Sequence, residues 1–261
     1  MRNILAIVER ELRAYFISPI AYVILGVFLF VMGVIFAKFV DIYQRYNMAQ
    51  RFGQSQGITL DKLATCLYQN MAFILCFITP FVTMRLFAEE KRQQTFELLF
   101  TAPIRGVELV LGKFFAAYFL MLMMVALSFV YVLFMIIWGN PELPIIATTY
   151  LGLALALACY IALGAMISAT TSTQAIAAVW TFIVLLLLWL LQSLAQGMTA
   201  KWDTALFTVE WGPVLSYISP LGHFNSFAEG LLHVKDLVYF ISFTGFVLYA
   251  THRIVESNRW R

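Results

Sequence analysis

Charge is what this sequence has least of. Only 12% of its 261 residues are Asp, Glu, Lys or Arg, while 62% are hydrophobic. A soluble domain carries about 25% charged residues and needs a polar skin. Fourteen acidic and seventeen basic residues, gathered in clusters, cannot supply one. The net charge of +3 is too small to argue for nucleic acid, and no basic stripe with interleaved aromatics is present. Cysteine is scarce too. Cys66, Cys76 and Cys159 form no CxxC pair, which leaves neither a disulfide framework nor a zinc site, and they read as buried, inert thiols. No Asn-x-Ser/Thr sequon occurs. The amino terminus does not read as a cleavable signal, because the apolar run 19–37 exceeds the ~7–15 residues of a signal core.

What the chain does have is long apolar runs. A spanning helix needs about 20 such residues. Runs 19–37, 63–84, 114–139, 145–167 and 175–195 meet that length, and 237–249 reaches across only with Lys235 and Arg253 snorkelling at its ends. Six spans result. Continuous runs of this kind exclude a β-barrel. With the amino terminus inside, Arg2, Arg10, Arg13, Arg85, Lys91, Arg92, Arg105, Lys113, Arg253, Arg259 and Arg261 lie on the cytoplasmic side. Lys38, Arg45, Arg51, Lys62, Lys201 and Lys235 lie outside. The inward bias puts both termini in the cytoplasm.

Three segments outside the runs have character. Residues 2–17 predict an amphipathic helix in the interface plane, with Ile4, Val8, Leu12 and Tyr15 on one face and Asn3, Arg10 and Arg13 on the other. Ser18-Pro19 ends it. The stretch 85–113 is the most charged inner loop, and its good helix formers run to Phe100 before Pro103. Segment 197–236 holds Trp202, Trp211, Pro213, Pro220, Gly222 and Gly230, which predicts short helices dipping into the outer leaflet. Residues 41–61 read as an exposed outer loop.

The five long runs contain no Asp, Glu, Lys, Arg or His. Coupled carriers and intramembrane enzymes need such groups at membrane depth, so neither class fits. His223, His233 and His252 sit at interfaces, and no metal site is expected. Gly106, Gly112 and Lys113 mimic a phosphate-binding loop, but five residues separate the glycines and Phe114 stands where Ser or Thr is required. Lys113 is expected to reach for lipid phosphate instead. Small residues recur every four positions at Ala154, Ala158 and Ala162, and again at Gly152, Ala156, Gly164 and Ser168, a spacing that favours close helix packing within the chain.

The order Ala88-Glu89-Glu90-Lys91-Arg92, then Thr95, Glu97-Leu98-Leu99 and Pro103, resembles the coupling-helix segment of ABC-2 type permeases. Glu11-Leu12, Tyr15-Phe16 and Ser18-Pro19 resemble that family's elbow helix. Ser219-Pro220-Leu221, His223-Phe224, Ser226-Phe227 and Gly230 are similar to its segment before the last span. The match is nearest the gliding-motility-associated branch. One departure is Gln94, where the family often has Gly, which implies a less bent coupling helix.

The resemblance implies one ABC-2 transmembrane domain over 1–261: an all-α membrane protein with six transmembrane helices, an amino-terminal amphipathic elbow helix (1–18), a cytoplasmic coupling helix between spans 2 and 3 (within 85–113), and an external dipping segment (197–236). It implies a non-catalytic permease subunit in the inner membrane, an exporter moved by a separate ABC ATPase dimer. Glu89, Glu90, Lys91, Arg92, Thr95, Glu97 and Leu98 would meet that ATPase, and Ser219, Pro220, His223, Phe224 and Gly230 would shape the external segment. This chain binds no cofactor in that reading; ATP and Mg belong to the partner. A second permease subunit, lipid and an auxiliary membrane-anchored subunit with an extracytoplasmic domain complete the assembly. The alternatives are transmission of force to an extracytoplasmic partner without cargo, and a non-ABC channel or scaffold.

Overall fold

The computed structural model describes residues 2–51, 60–93, 105–139, 141–197, 201–204 and 207–259. The chain is all-α in its membrane part, with six helices long and apolar enough to cross a bilayer. Helix α1 (Arg2–Ile17) precedes α2 (Pro19–Arg51), and α3 (Leu60–Thr83) leads through a tight turn into the short α4 (Ala88–Arg92). Helices α5 (Gly106–Leu127) and α6 (Phe129–Gly139) together make the third span. Then come α7 (Leu143–Thr170), α8 (Gln174–Gly197), the hairpin β1 (Lys201–Thr204) and β2 (Phe207–Glu210), α9 (Trp211–Ile218), α10 (Pro220–Ala228) and α11 (Val234–Arg259).

Helix α7 is the axis of the bundle. It touches α3, α5, α8, α10 and α11, and 72% of its span is buried within the chain, against 17% for α2 and for α8. The small-residue pattern explains this. Gly152 lies against the Phe227 ring, Gly164 against Thr83, and Ala156, Ala162 and Ser168 are buried. The close neighbours are helices of the same chain, as the spacing predicts. Apolar area removed from lipid contributes nothing extra, so dispersion and close approach hold these helices together.

Helix boundaries extend beyond the apolar runs. Helix α2 continues to Arg51, so 41–51 is helix and not loop. The polar residues there leave the lipid without ending the backbone hydrogen bonding. Its 33 residues amount to about 50 Å, against a hydrocarbon core of about 30 Å. Helix α11 has 26 residues, so the last span is not short. The third span breaks at Ser128, whose hydroxyl donates to Val125 O and meets the Tyr150 hydroxyl. Cys66 is exposed, correcting the expectation of burial, while Cys76 and Cys159 are buried.

Segment 197–236 contains two short helices as expected, and a hairpin that was not. Lys201 pairs with Glu210 and Thr204 with Phe207 in antiparallel register. Helix α10 is seated against α7, and Phe224, Phe227 and Ala228 are fully buried. Its carboxyl-terminal carbonyls need partners in that apolar setting. Thr65 of α3 donates to Ala228 O, and the hydroxyls of Thr148 and Thr149 of α7 stand 3.1 and 3.2 Å from Phe227 O. Gly230 follows with φ +83°, a left-handed turn that favours glycine and frees the chain to enter α11.

Candidate functional site

Two polar centres lie at opposite ends of α7. The first gathers α1, α4 and α5 around the carboxyl-terminal end of α7. Helix α4 is one turn and a half, too short to hold itself. Ser168 of α7 holds it: its hydroxyl accepts from the Phe87 and Ala88 backbone N–H at 3.1 and 3.2 Å and donates to Met84 O. Those are two of the orphan donors at the start of α4. Glu89 and Glu90 occupy its first turn and Lys91 and Arg92 its last, which complements the helix dipole. Lys91 Nζ donates to Ala169 O, again on α7.

Helix α1 packs lengthwise on α5, and Ile7 and Val8 are buried. The approach is close. A Cβ on Gly112 would lie 2.7 Å from Ile7 Cγ2, so only glycine admits α1 here. Glu11 falls on the same buried stripe as Ile7, one turn further on. It meets Lys113 of α5, whose side chain is only 2% exposed.

Lys113 does not reach for lipid. Its Nζ lies 3.0 Å from Glu11 Oε1 and 2.8 Å from Glu90 Oε1, and sits 5.5 Å from the Phe87 ring centroid. Arg10 closes the cluster, 2.7 Å from Glu11 and 3.2 Å from Glu90. Two cations and two carboxylates thus join three helices. Burial pushes the Glu11 carboxyl up, but Lys113 and Arg10 outweigh it and hold the group below its ordinary value. Burial likewise pulls Arg10 down, and Glu11 and Glu90 outweigh it, so the guanidinium is held the more firmly charged. The phosphate-loop lookalike is the opening two turns of α5, with its lysine committed to carboxylates.

Of the expected coupling residues, Glu89 is half-buried and contacts Gln93, Arg92 is exposed, and Glu90 and Lys91 are tied to the bundle. Glu90, expected to meet the ATPase, has Lys113 and Arg10 of its own chain as partners. Thr95, Glu97 and Leu98 lie outside the described residues. Sequence reasoning missed Glu11, Arg10, Lys113 and Ser168 as members of this centre. Their separations of roughly 80 to 100 positions leave no local pattern, although Glu11 interrupting an apolar stripe was a signal.

The second centre is at the other end of α7. His223 is buried within the chain, with Nδ1 2.6 Å from Asp236 Oδ1 and Nε2 3.0 Å from Tyr217 O. It stacks on Tyr239 at 3.9 Å. Both ring nitrogens thus have an oxygen within hydrogen-bond distance. With Nε2 taken by a carbonyl, the pair is a tie between α10 and α11 and not a base open to substrate. Ser219 begins α10 and donates to Leu188 O, and Pro220 is its first residue. The five external-segment residues thus share one neighbourhood, with Phe224 against Gly152 and Gly230 closing the turn. Among the described residues no group of His, Cys, Asp and Glu is arranged to hold a metal ion.

Six apolar helices, an amphipathic leading helix, and a short charged helix anchored beneath the second span define a multi-pass membrane protein of transport architecture. Residues 5–252 match the model of the ABC-2 family transporter proteins, and the chain belongs to that family. It is accordingly the membrane component of an ABC transporter, a class that pairs in the membrane and works with an ABC ATPase. No curated protein matches the sequence.

Proposed function

We infer that this chain is the permease subunit of an ATP-driven exporter of the inner membrane, akin to the gliding-motility-associated branch, with both termini cytoplasmic. A separate ATPase dimer supplies ATP and Mg, and the coupling surface is the exposed face of α4 with residues 94–104. The observation that carries this is the double attachment of α4. Ser168 ties it to α7, while Glu90 ties it to Lys113 and Arg10. A displacement of so short a helix therefore moves α1, α5 and α7 together, which is what a lever needs.

The test uses charges that face away from those ties. Glu89→Lys with Arg92→Glu should leave membrane abundance unchanged and weaken recovery of the ATPase in a detergent pull-down, with loss of stimulated hydrolysis. Wild-type docking and turnover in that double variant would refute α4 as the coupling element. A second reading draws on the hairpin 201–210, which adds non-helical backbone at the far end of the bundle. There, ATP energy passes to an auxiliary extracytoplasmic partner and no cargo crosses. Reconstituted vesicles with ATPase turnover but no transport of any candidate cargo would favour it.

A further inference from the structure

Arg85 stands in the turn between α3 and α4, directly after the apolar run of the second span. Ser18 stands between α1 and α2, directly before the apolar run of the first. Both therefore sit at the depth where hydrocarbon gives way to headgroups. Arg85 Nη1 donates to Ser18 Oγ at 3.4 Å, and close by Tyr15 Oη donates to Val82 O at 3.0 Å. The elbow and the end of the second span are thus held side by side.

Arg85 is half-buried, yet its charge has no answer within the chain. Arg10, Arg13, Lys113 and Arg253 each have a carboxylate at 3.8 Å or less. Among the described residues Arg85 has no such partner. Glu89, one turn further on, accepts from Gln93 instead. A cation drawn partly out of water without an anion is costly. Its planar fork of five N–H donors suits two oxygens of one phosphate, and the Ser18 hydroxyl can turn its own proton to the same group.

The surface beside this cation is apolar. Ile20, Ala21 and Ile24 of α2, Phe81 of α3 and Leu120 of α5 line a shallow groove that begins at Arg85 and Ser18. Phe81 and Ile20 remain 55% and 41% exposed along it. Inorganic phosphate would use the cation and leave the groove bare, and a neutral hydrocarbon would use the groove and leave the cation. A molecule with a phosphate at one end and a hydrocarbon chain at the other satisfies both. We propose that Arg85 and Ser18 hold the phosphate of an anionic phospholipid, with one acyl chain lying along Ile20, Ile24 and Phe81. A zwitterionic headgroup brings its own cation to the phosphate and so competes with Arg85. The lipid is a fixed part of the joint between elbow and second span, and its place does not depend on what the permease carries.

The experiment uses the full chain, delipidated in a neutral detergent. It is titrated with dioleoyl phosphatidylglycerol, dioleoyl phosphatidylcholine and glycerol phosphate, and bound molecules are counted by native mass spectrometry. Phosphatidylglycerol should saturate a tight site on each chain and bind several-fold more tightly than phosphatidylcholine. Arg85→Gln should weaken it about tenfold or more, the loss of a charge-assisted contact, while Arg85→Lys keeps most of the affinity. Phe81→Ala removes exposed ring surface from the groove and should weaken the lipid while leaving glycerol phosphate unaffected. A thermal melt verifies that each variant is folded, and either Arg85→Gln or Phe81→Ala decides alone. Wild-type affinity in a folded Arg85→Gln or in Phe81→Ala overturns the proposal. Phosphatidylcholine bound as tightly as phosphatidylglycerol also overturns it, since the charge would then select nothing. Glycerol phosphate bound as tightly as the lipid would replace the lipid by a soluble anion and overturn it equally.

Discussion

Lys113 Nζ and Glu90 Oε1 stand 2.8 Å apart, joining the start of the third span to a helix of five residues that leads away from the second. The lysine is buried and the carboxylate nearly so. Removing Glu90 leaves the buried Lys113 with Glu11 as its remaining carboxylate, so the loss is a part of the about 3–5 kcal/mol that a buried charge left with no partner costs. Glu90→Ala should lower the melting temperature of the purified protein and its membrane abundance. Glu89→Ala, outside the cluster, should change stability by no more than about 0.5 kcal/mol. Equal abundance and melting of the two variants would show that the cluster carries no stability.

Acid should loosen this end of the molecule. Glu11 is held below its ordinary carboxyl value of 4.5, so its contribution is complete above that value and fades as pH falls through the lowered one. The melting-temperature gap between wild type and Glu11→Gln should be constant from neutral pH down to about 5 and should shrink below the ordinary value. A gap that stays constant into strong acid would mean that Glu11 does not act through its charge.

His223 and Asp236 make a different prediction. In Asp236→Asn the amide can donate to Nδ1 while Nε2–H donates to Tyr217 O, so both ring nitrogens keep a partner. Asp236→Leu leaves Nδ1 unpaired in a buried site, at a cost of about 1–3 kcal/mol. Thermal unfolding should rank wild type and Asp236→Asn close together and Asp236→Leu well below. The reverse order would show that the contact at Nδ1 carries no stability.

The spans were legible because bilayer thickness imposes a length on apolar runs, and the central role of α7 was legible in its small residues. Helix ends were not. Nothing in 41–51 distinguishes a polar helix from a polar loop. The ionic centre was half visible. Glu89, Glu90, Lys91 and Arg92 form a conspicuous charge run, but their sequence does not say which of them faces inward. Lys113 after Gly112 reads equally well as an anchor in lipid and as a buried cation, and only the seating of α1 against Gly112 decides it. His223 and Asp236, thirteen positions apart across a turn, leave no periodic trace.

The threonines around α10 give the bundle two unlike ends. Thr148 and Ser168 lie about 30 Å apart along α7, so the hydroxyl contacts and the ionic cluster sit on opposite faces of the membrane-sized bundle. At one end hydroxyl hydrogen bonds worth about 1 kcal/mol each surround the single His223–Asp236 contact; at the other, charge-assisted bonds roughly twice as strong form a cluster. The molecule is thus built like a cantilever, clamped where α1, α4 and α5 meet and lightly pinned at the tip. The hydroxyl contacts of Thr65, Thr148 and Thr149 on α10 are thus individually cheaper to exchange than the ionic contacts at the clamp.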